Sequence, residues 1–241
     1  MRRAAIAVSL AFALAQAGAA PTLAPFSAAA PGPALPPDWR IVTLPRIAPA
    51  RIELAGEDGI TVLRVASHAA AGTAAHALDI DAASHPRLAW RWKVDRVLAH
   101  ADLMRRDGDD FAARVYVFFD VPEAELPWPE RVKLRIARLL HGREVPSTGI
   151  CYVWDGTHRP GTIAPNPYAP HIRTFVLRSG DADAGRWVEE RRDLAADFRA
   201  AFAGRSAPVP RITGIAAGND TDQTKESATA WFGDFRLETG P

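Results

Sequence analysis

Residues 110–120 read Asp-Phe-Ala-Ala-Arg-Val-Tyr-Val-Phe-Phe-Asp. Phe111, Ala113, Val115, Val117 and Phe119 make one apolar row. Asp110, Arg114, Tyr116 and Asp120 lie opposite, with Ala112 and Phe118 among them. Successive strand residues point to opposite faces, so this period of two predicts a strand with one side in a core. Residues 86–94 repeat the pattern, with Leu88, Trp90, Trp92 and Val94 on one side and Arg87, Ala89, Arg91 and Lys93 on the other.

Outward from these two strands, residues 59–66, 149–155, 171–178, 211–216 and 228–238 are β-branched or apolar runs. Gly, Pro, Asp and Asn stand between them as turn formers. The pattern predicts a mainly β chain: a two-sheet antiparallel β-sandwich of jelly-roll type, with Trp90, Trp92, Val115, Val117, Phe119 and Ile215 in its core. Two short helices are expected on loops. Residues 129–141 open with Pro129 and close before Gly142, with Val132, Ile136, Leu139 and Leu140 as an apolar stripe that Leu134 blurs. Residues 193–203 have Asp193 as a cap, Leu194, Phe198 and Phe202 on one face, and Gly204 as a stop.

The amino terminus carries Arg2 and Arg3, an uncharged apolar run from Ala4 to Leu14, and Ala17-Gly-Ala19. Those are the three parts of a secretory signal, so residues 1–20 are expected to be removed and the protein to be periplasmic or extracellular. The apolar run is shorter than the ~20 residues that span a bilayer, so no transmembrane segment is expected after cleavage. Residues 21–37 hold Pro21, Pro25, Pro31, Pro33, Pro36 and Pro37 and are expected to form an extended tether. A single domain over 38–241 should follow. Its one cysteine, Cys151, permits no internal disulfide.

Removing Arg2 and Arg3 from the 29 basic residues leaves 27 against 28 acidic ones. A nucleic-acid binder would carry a strongly basic domain, so that class is set aside. Nothing in the sequence sets the oligomeric state.

Several short segments occur in one order: Leu88-Ala-Trp-Arg-Trp-Lys, Gly108-Asp-Asp-Phe-Ala-Ala-Arg, Tyr152-Val-Trp-Asp, Asn166-Pro-Tyr, Arg178-Ser-Gly, Asp220-Thr-Asp and Gly233-Asp. Together they resemble a family of exported bacterial proteins known as a domain of unknown function. The resemblance runs from about Trp39 to Leu237 and brings no catalytic residue with it. A looser, fold-level similarity links the pattern to jelly-roll carbohydrate-binding modules, which licenses no function by itself.

His-Glu-x-x-His, Gly-x-Ser-x-Gly, P-loop and Gly-x-Gly-x-x-Gly motifs are absent from the sequence. The seven histidines show no zinc-ligand spacing on a shared element, so no metal site is expected. No cofactor is expected either. The one ion the pattern admits is a structural calcium at the acidic loops 180–185 or 219–222, neither of which has a full ligand set.

The polar face of the strands is the most suggestive feature. It collects Arg91, Asp110, Arg114, Tyr116, Tyr152 and Trp154, beside Arg87 and Lys93, although residues 149–155 read equally with the other face outward, which would put Tyr152 and Trp154 in the core. Arg binds carboxylates and sulfates, and Tyr and Trp stack on sugar rings. That mixture suits a non-catalytic binding module for an anionic or neutral saccharide. The same residues also suit a solvated face of cross-strand pairs. Two further classes remain: a polysaccharide-cleaving lyase or glycosidase, with Arg114, Tyr116, Tyr152 and His171 as a lyase set, and a structural or protein-interaction domain of the cell envelope.

Overall fold

The computed structural model describes residues 23–85, 87–126, 128, 131, 147–203 and 209–239. The expected signal and the helix expected over 129–141 lie outside the described residues, apart from Arg131. Two sheets face each other. The larger has the order β1 (Trp39–Val42), β5 (Ala70–Ile80), β12 (Ile212–Asp220), β7 (Phe111–Phe119), β8 (Thr148–Asp155), β10 (Ile172–Ser179), β9 (Ile163–Pro165), with β2 (Ala48–Pro49) also on β5. The smaller has the order β11 (Val188–Asp193), β6 (Arg87–Val94), β13 (Ser227–Phe232), β4 (Ile60–His68), β3 (Arg51–Glu57), with β14 (Arg236–Glu238) also on β6.

The core lies between the sheets, and aromatic rings fill it. Trp90 and Trp92 of β6 meet Tyr152 and Trp154 of β8, with ring centroids 5.5 and 5.8 Å apart. All six residues expected in the core are buried there. The one α-helix among the described residues, α1 (Leu194–Ala201), starts where expected. Asp193 caps it by accepting from the Ala196 amide at 2.8 Å, and Phe198 packs on Phe119.

Pairing departs from the expected all-antiparallel scheme in two places: β8 with β10, and β2 with β5, run parallel. After Asp155 the chain leaves the sheet and returns through β9, which forms a hairpin with β10. That return lays β10 beside β8 in the same direction, as a long crossover allows.

Strand β5 has no counterpart among the expected runs. Its Ala-Ala-Gly-Thr-Ala-Ala sequence has little β propensity. Small residues are nevertheless suited to this position, because Gly214, Ala216, Ala217 and Gly218 of β12 pair with Ala77, Ala75, Ala74 and Thr73. At Gly218 an added Cβ would lie 2.2 Å from the Gly72 carbonyl oxygen, so only glycine permits the close approach.

The expected tether is not free of the domain. Leu23 and Phe26 are buried, with the Phe26 ring 4.7 Å from Trp39 and 6.3 Å from Phe235. Ser27 donates twice to Asp234 through its amide and hydroxyl, and Gly32 bridges to Leu54. A proline-rich chain has few amide donors to satisfy, so it can lie across a sandwich with few hydrogen bonds of its own. Residues 23–32 therefore pack onto the sandwich. Phe26→Ala is expected to cost about 3–5 kcal/mol of unfolding free energy in a urea titration, the range for a fully buried phenylalanine. A loss below about 1 kcal/mol would mean that the segment contributes little to the fold.

Candidate functional site

The outer face of the larger sheet is shaped by one irregularity. Between β7 and β12 the register slips: Gly218 faces Arg114, but Asp220 faces Phe111. Ala112 and Ala113 thus both oppose Asn219, and both sit in the inter-sheet core. A bulge of this kind turns the residues beyond it to the other side. Phe111 consequently leaves the apolar row assigned to it and joins Leu103, Cys151, Val153, Ala164, Ile172 and Val176 on the outer face.

Asp220, two residues beyond Gly218 on the same outer row of β12, meets Arg114, whose Nη2 donates to Asp220 Oδ2 at 2.5 Å. Both side chains are buried. Burial works against the guanidinium charge, but Asp220, together with Tyr116, Cys151 and Asp109, outweighs it and raises the Arg114 pKa. The Arg114 Nε hydrogen has no partner among the described residues.

Around this pair lies an open cavity of about 450 Å³, lined by Asp109, Arg114, Tyr116, Asn166, Tyr168 and Asp222 among others. Asp110 is fully buried and accepts from the Gln223 and Thr224 amides at 3.3 and 2.6 Å. It thereby fixes the loop that follows β12 and carries Asp222. Asn166 holds the opposite wall. Its Nδ2 donates to both oxygens of Asp109 at 3.0 and 2.8 Å, and its Oδ1 accepts from the Tyr168 and Ala169 amides. That turn sets Tyr168 at the rim, half exposed, with its hydroxyl donating to the Arg106 carbonyl. Tyr116 stacks on Phe118 with an interplanar angle of 11°.

Burial pushes the Asp109 carboxyl up to about 6; Arg114 and Asn166 pull it down, while Asp110 and Asp222 add to the rise. Burial and Asp110 raise Asp222 as well. Burial likewise drives the Cys151 thiol up, which removes it as a nucleophile. Asp110, Asp220 and Asp222 offer three oxygens within 4.8 Å of one another, a spacing that would suit a cation. Two of them are already committed, Asp220 to Arg114 and Asp110 to backbone amides. We read the trio as a hydrogen-bonded hub rather than a ligand set.

The six residues expected to share one face are divided by the structure. Arg114 and Tyr116 line the cavity, and Asp110 lies beneath it as a brace. Tyr152 and Trp154 point into the core, a correction with a clear cause. They alternate with Cys151 and Val153, which take the outer face. Their polar tips are satisfied from within: Tyr152 donates to Asp197 at 2.7 Å, and the Trp154 indole donates to the Gly180 carbonyl at 3.1 Å. Arg91 belongs to the other sheet, where its guanidinium lies 4.5 Å from the centre of the Trp187 ring.

Asp109, Asn166, Tyr168 and Asp222 were not among the expected residues. All four nevertheless lie in the ordered segments noted above: Gly108–Arg114, Asn166-Pro-Tyr and Asp220-Thr-Asp converge on this one cavity.

A family model described as "Protein of unknown function (DUF3047)" matches residues 37–236. No curated protein matches at a significant level. Among solved structures, the chain is similar to the xyloglucanase domain of NopAA, a type three effector from Sinorhizobium fredii, in complex with cellobiose. Identity is 7%, 84% of this chain and 91% of that chain are covered, and the TM-score is 0.47. It is similar to the catalytic domain of Humicola grisea Cel12A at 10% identity, covering 84% and 93%, with a TM-score of 0.42. For Trichoderma harzianum endoglucanase 3, from family GH12, the values are 6%, 86% and 100%, and 0.36.

Asp220→Ala is expected to cost about 3–5 kcal/mol in chemical denaturation, because it leaves Arg114 buried without its partner. In Asn166→Ala, loss of the amide donor should raise the Asp109 pKa above its wild-type value, as read by carboxyl-carbon NMR titration. The sign for stability follows. Asp109 binds its proton more tightly folded than unfolded, so wild-type stability should fall as pH rises from about 4 to about 6, and Asp109→Asn should flatten that slope.

Proposed function

This chain belongs to the family described as protein of unknown function DUF3047, so its activity has to be read from its own site, and we propose that it is an exported protein that binds a neutral saccharide in the cavity beside Arg114 and Tyr116. One observation carries the reading: acceptors (Asp109, Asp222) and a donor (Arg114) converge with two tyrosines on one open cavity of about 450 Å³, whose wall Asn166 holds in place. Sugar hydroxyls both donate and accept, and carboxylate and amide groups meet them in pairs. Sugar ring faces are apolar and pack on tyrosine. The volume lies within the range of small-molecule sites.

The charge balance favours a neutral ligand over an anionic one. The Arg114 charge is taken up by Asp220, while Asp109, Asp110 and Asp222 add negative potential to the same space. A uronate or sulfate would enter against that field. The open, partly polar lining also argues against a flat protein-contact face. For export, the amino-terminal signal pattern is the support. Among the described residues no helix is long and apolar enough to cross a membrane.

Isothermal titration of the purified chain with cellotetraose, xylotetraose, maltotetraose and tetragalacturonate tests the reading. At least one neutral oligosaccharide should bind and tetragalacturonate should not. Tyr168→Ala should weaken the neutral ligand about tenfold, equivalent to about 1.4 kcal/mol. Failure of every neutral member to bind, or a preference for tetragalacturonate, would overturn the proposal.

A further inference from the structure

The four carboxylates around the cavity are not equally available to a ligand. Asp110 is fully buried and tied to two backbone amides. Asp220 is held by Arg114 on one oxygen and by the Phe111 amide on the other. Asp109 and Asp222 remain, and both line the cavity. Their surroundings differ. Asp109 is 6% exposed and clasped by the Asn166 amide across both oxygens. Asp222 is half-buried on a loop and accepts from the Gln223 side-chain amide on one oxygen. Beside them Arg114, itself nine-tenths buried, lines the cavity with its Nε hydrogen unpartnered among the described residues. An acceptor oxygen is the ligand feature that would answer it.

Resting on the saccharide reading above, we infer that the cavity hydrolyses a glycosidic bond of the sugar it holds, with Asp109 as proton donor and Asp222 as the base that activates water. The Asp109 carboxyl gives its proton to the glycosidic oxygen as the bond from that oxygen to the anomeric carbon breaks, so the leaving sugar departs as a neutral alcohol. Water attacks the anomeric carbon and Asp222 takes the proton that water releases. Asp109 recovers a proton from Asp222 through solvent. One water is consumed, and no oxidant or metal takes part. Two carboxyl groups held in different protonation states by different surroundings are the requirement of such chemistry.

The electrostatics at Asp109 agree with its role as proton donor. Burial holds Asp109 at about 6, with Arg114 and Asn166 opposing the rise and Asp110 and Asp222 adding to it. Asp220 faces the same space already paired with Arg114. In mildly acidic solution Asp109 therefore carries the proton that it is asked to give.

The full chain should be incubated with the neutral oligosaccharide it binds and with the 2,4-dinitrophenyl glycoside of the same sugar. Reducing ends and dinitrophenolate are followed separately. Wild type should release reducing ends at a rate that falls as pH rises past about 6. Asp109→Asn should slow cleavage of the oligosaccharide about 100-fold or more. Its effect on the dinitrophenyl glycoside, whose leaving group needs no proton, should stay under about tenfold. Any loss of oligosaccharide binding in this variant, read separately by isothermal titration, should be far smaller than its loss of rate. Asp222→Asn should slow both substrates, again by far more than it weakens binding. Equal losses on both substrates in Asp109→Asn would overturn the proton-donor assignment. Should that variant fail to fold, Asn166→Ala decides, since it must move the alkaline limb of the pH profile upward. Wild type that binds the oligosaccharide but yields no reducing ends would overturn hydrolysis while leaving the binding reading standing. Absence of binding would remove both.

Discussion

A guanidinium taken out of water has to be met by a carboxylate, and the outer face of the larger sheet is organised around that requirement at Arg114. Asp220 follows Gly218, the pairing partner of Arg114, on the outer row of β12, and so meets the guanidinium there. Asn219 between them continues the inward row of Ile215 and Ala217, and its amide donates to the Val65 and Ala228 carbonyls of the opposite sheet. The alternation of β12 thus sets the ion pair on one side of the sheet and a sheet-to-sheet tie on the other. The loop after β12 is then anchored by Asp110, and Asp222 comes to rest at the cavity as a result.

The fold was largely legible where side chains alternate strongly. Strands β4, β6, β7, β8, β10 and β12 all lie on expected runs, and the tryptophans of β6 lie in the core. Strands β1, β2, β3, β5, β9 and β11 lie on no expected run, and two of them show why. Strand β5 is built from alanine and glycine, whose β propensity is low, and is held by the equally small β12. Strand β11, Val-Glu-Glu-Arg-Arg-Asp, has almost no apolar residue and exists because it pairs with β6 at a sheet edge. Neither is visible to a reading that weighs each segment alone. The proline-rich segment before Trp39 failed for a related reason: composition describes the chain's stiffness and does not show that Phe26 has a place waiting for it between Trp39 and Phe235.

The site was legible in part. Alternation correctly set Arg114 and Tyr116 on the outer face of β7. It could not see the bulge, so Phe111 was assigned to the wrong row. On β8 the ambiguity was of a different sort, because both faces are buried. Cys151 and Val153 face the outer apolar cluster and Tyr152 and Trp154 the inner one. When both faces of a strand are apolar, period-two reading loses its contrast, and aromatic residues with polar tips are easily mistaken for ligands. The cavity's remaining residues sit on loops, at Asp109, Asn166, Tyr168 and Asp222, where no periodicity operates.

The burial of Tyr152 has a consequence of its own. Its hydroxyl donates to Asp197, which also takes both donors of the Arg192 guanidinium at 2.8 and 2.5 Å. This network joins β8, β11 and α1 at the side of β8 away from the cavity. It satisfies the polar tip of Tyr152 from within the core. The outer face is different: Tyr168 is half exposed, the Arg114 Nε hydrogen is unpaired among the described residues, and a buried carboxyl at Asp109 is held near 6. Buried polar groups left partly unsatisfied are costly, and what distinguishes Arg114 from the other unpartnered groups is that its side chain lines an open cavity beside Asp109 and Tyr168. That juxtaposition is the physical support for the proposed binding site on the outer face.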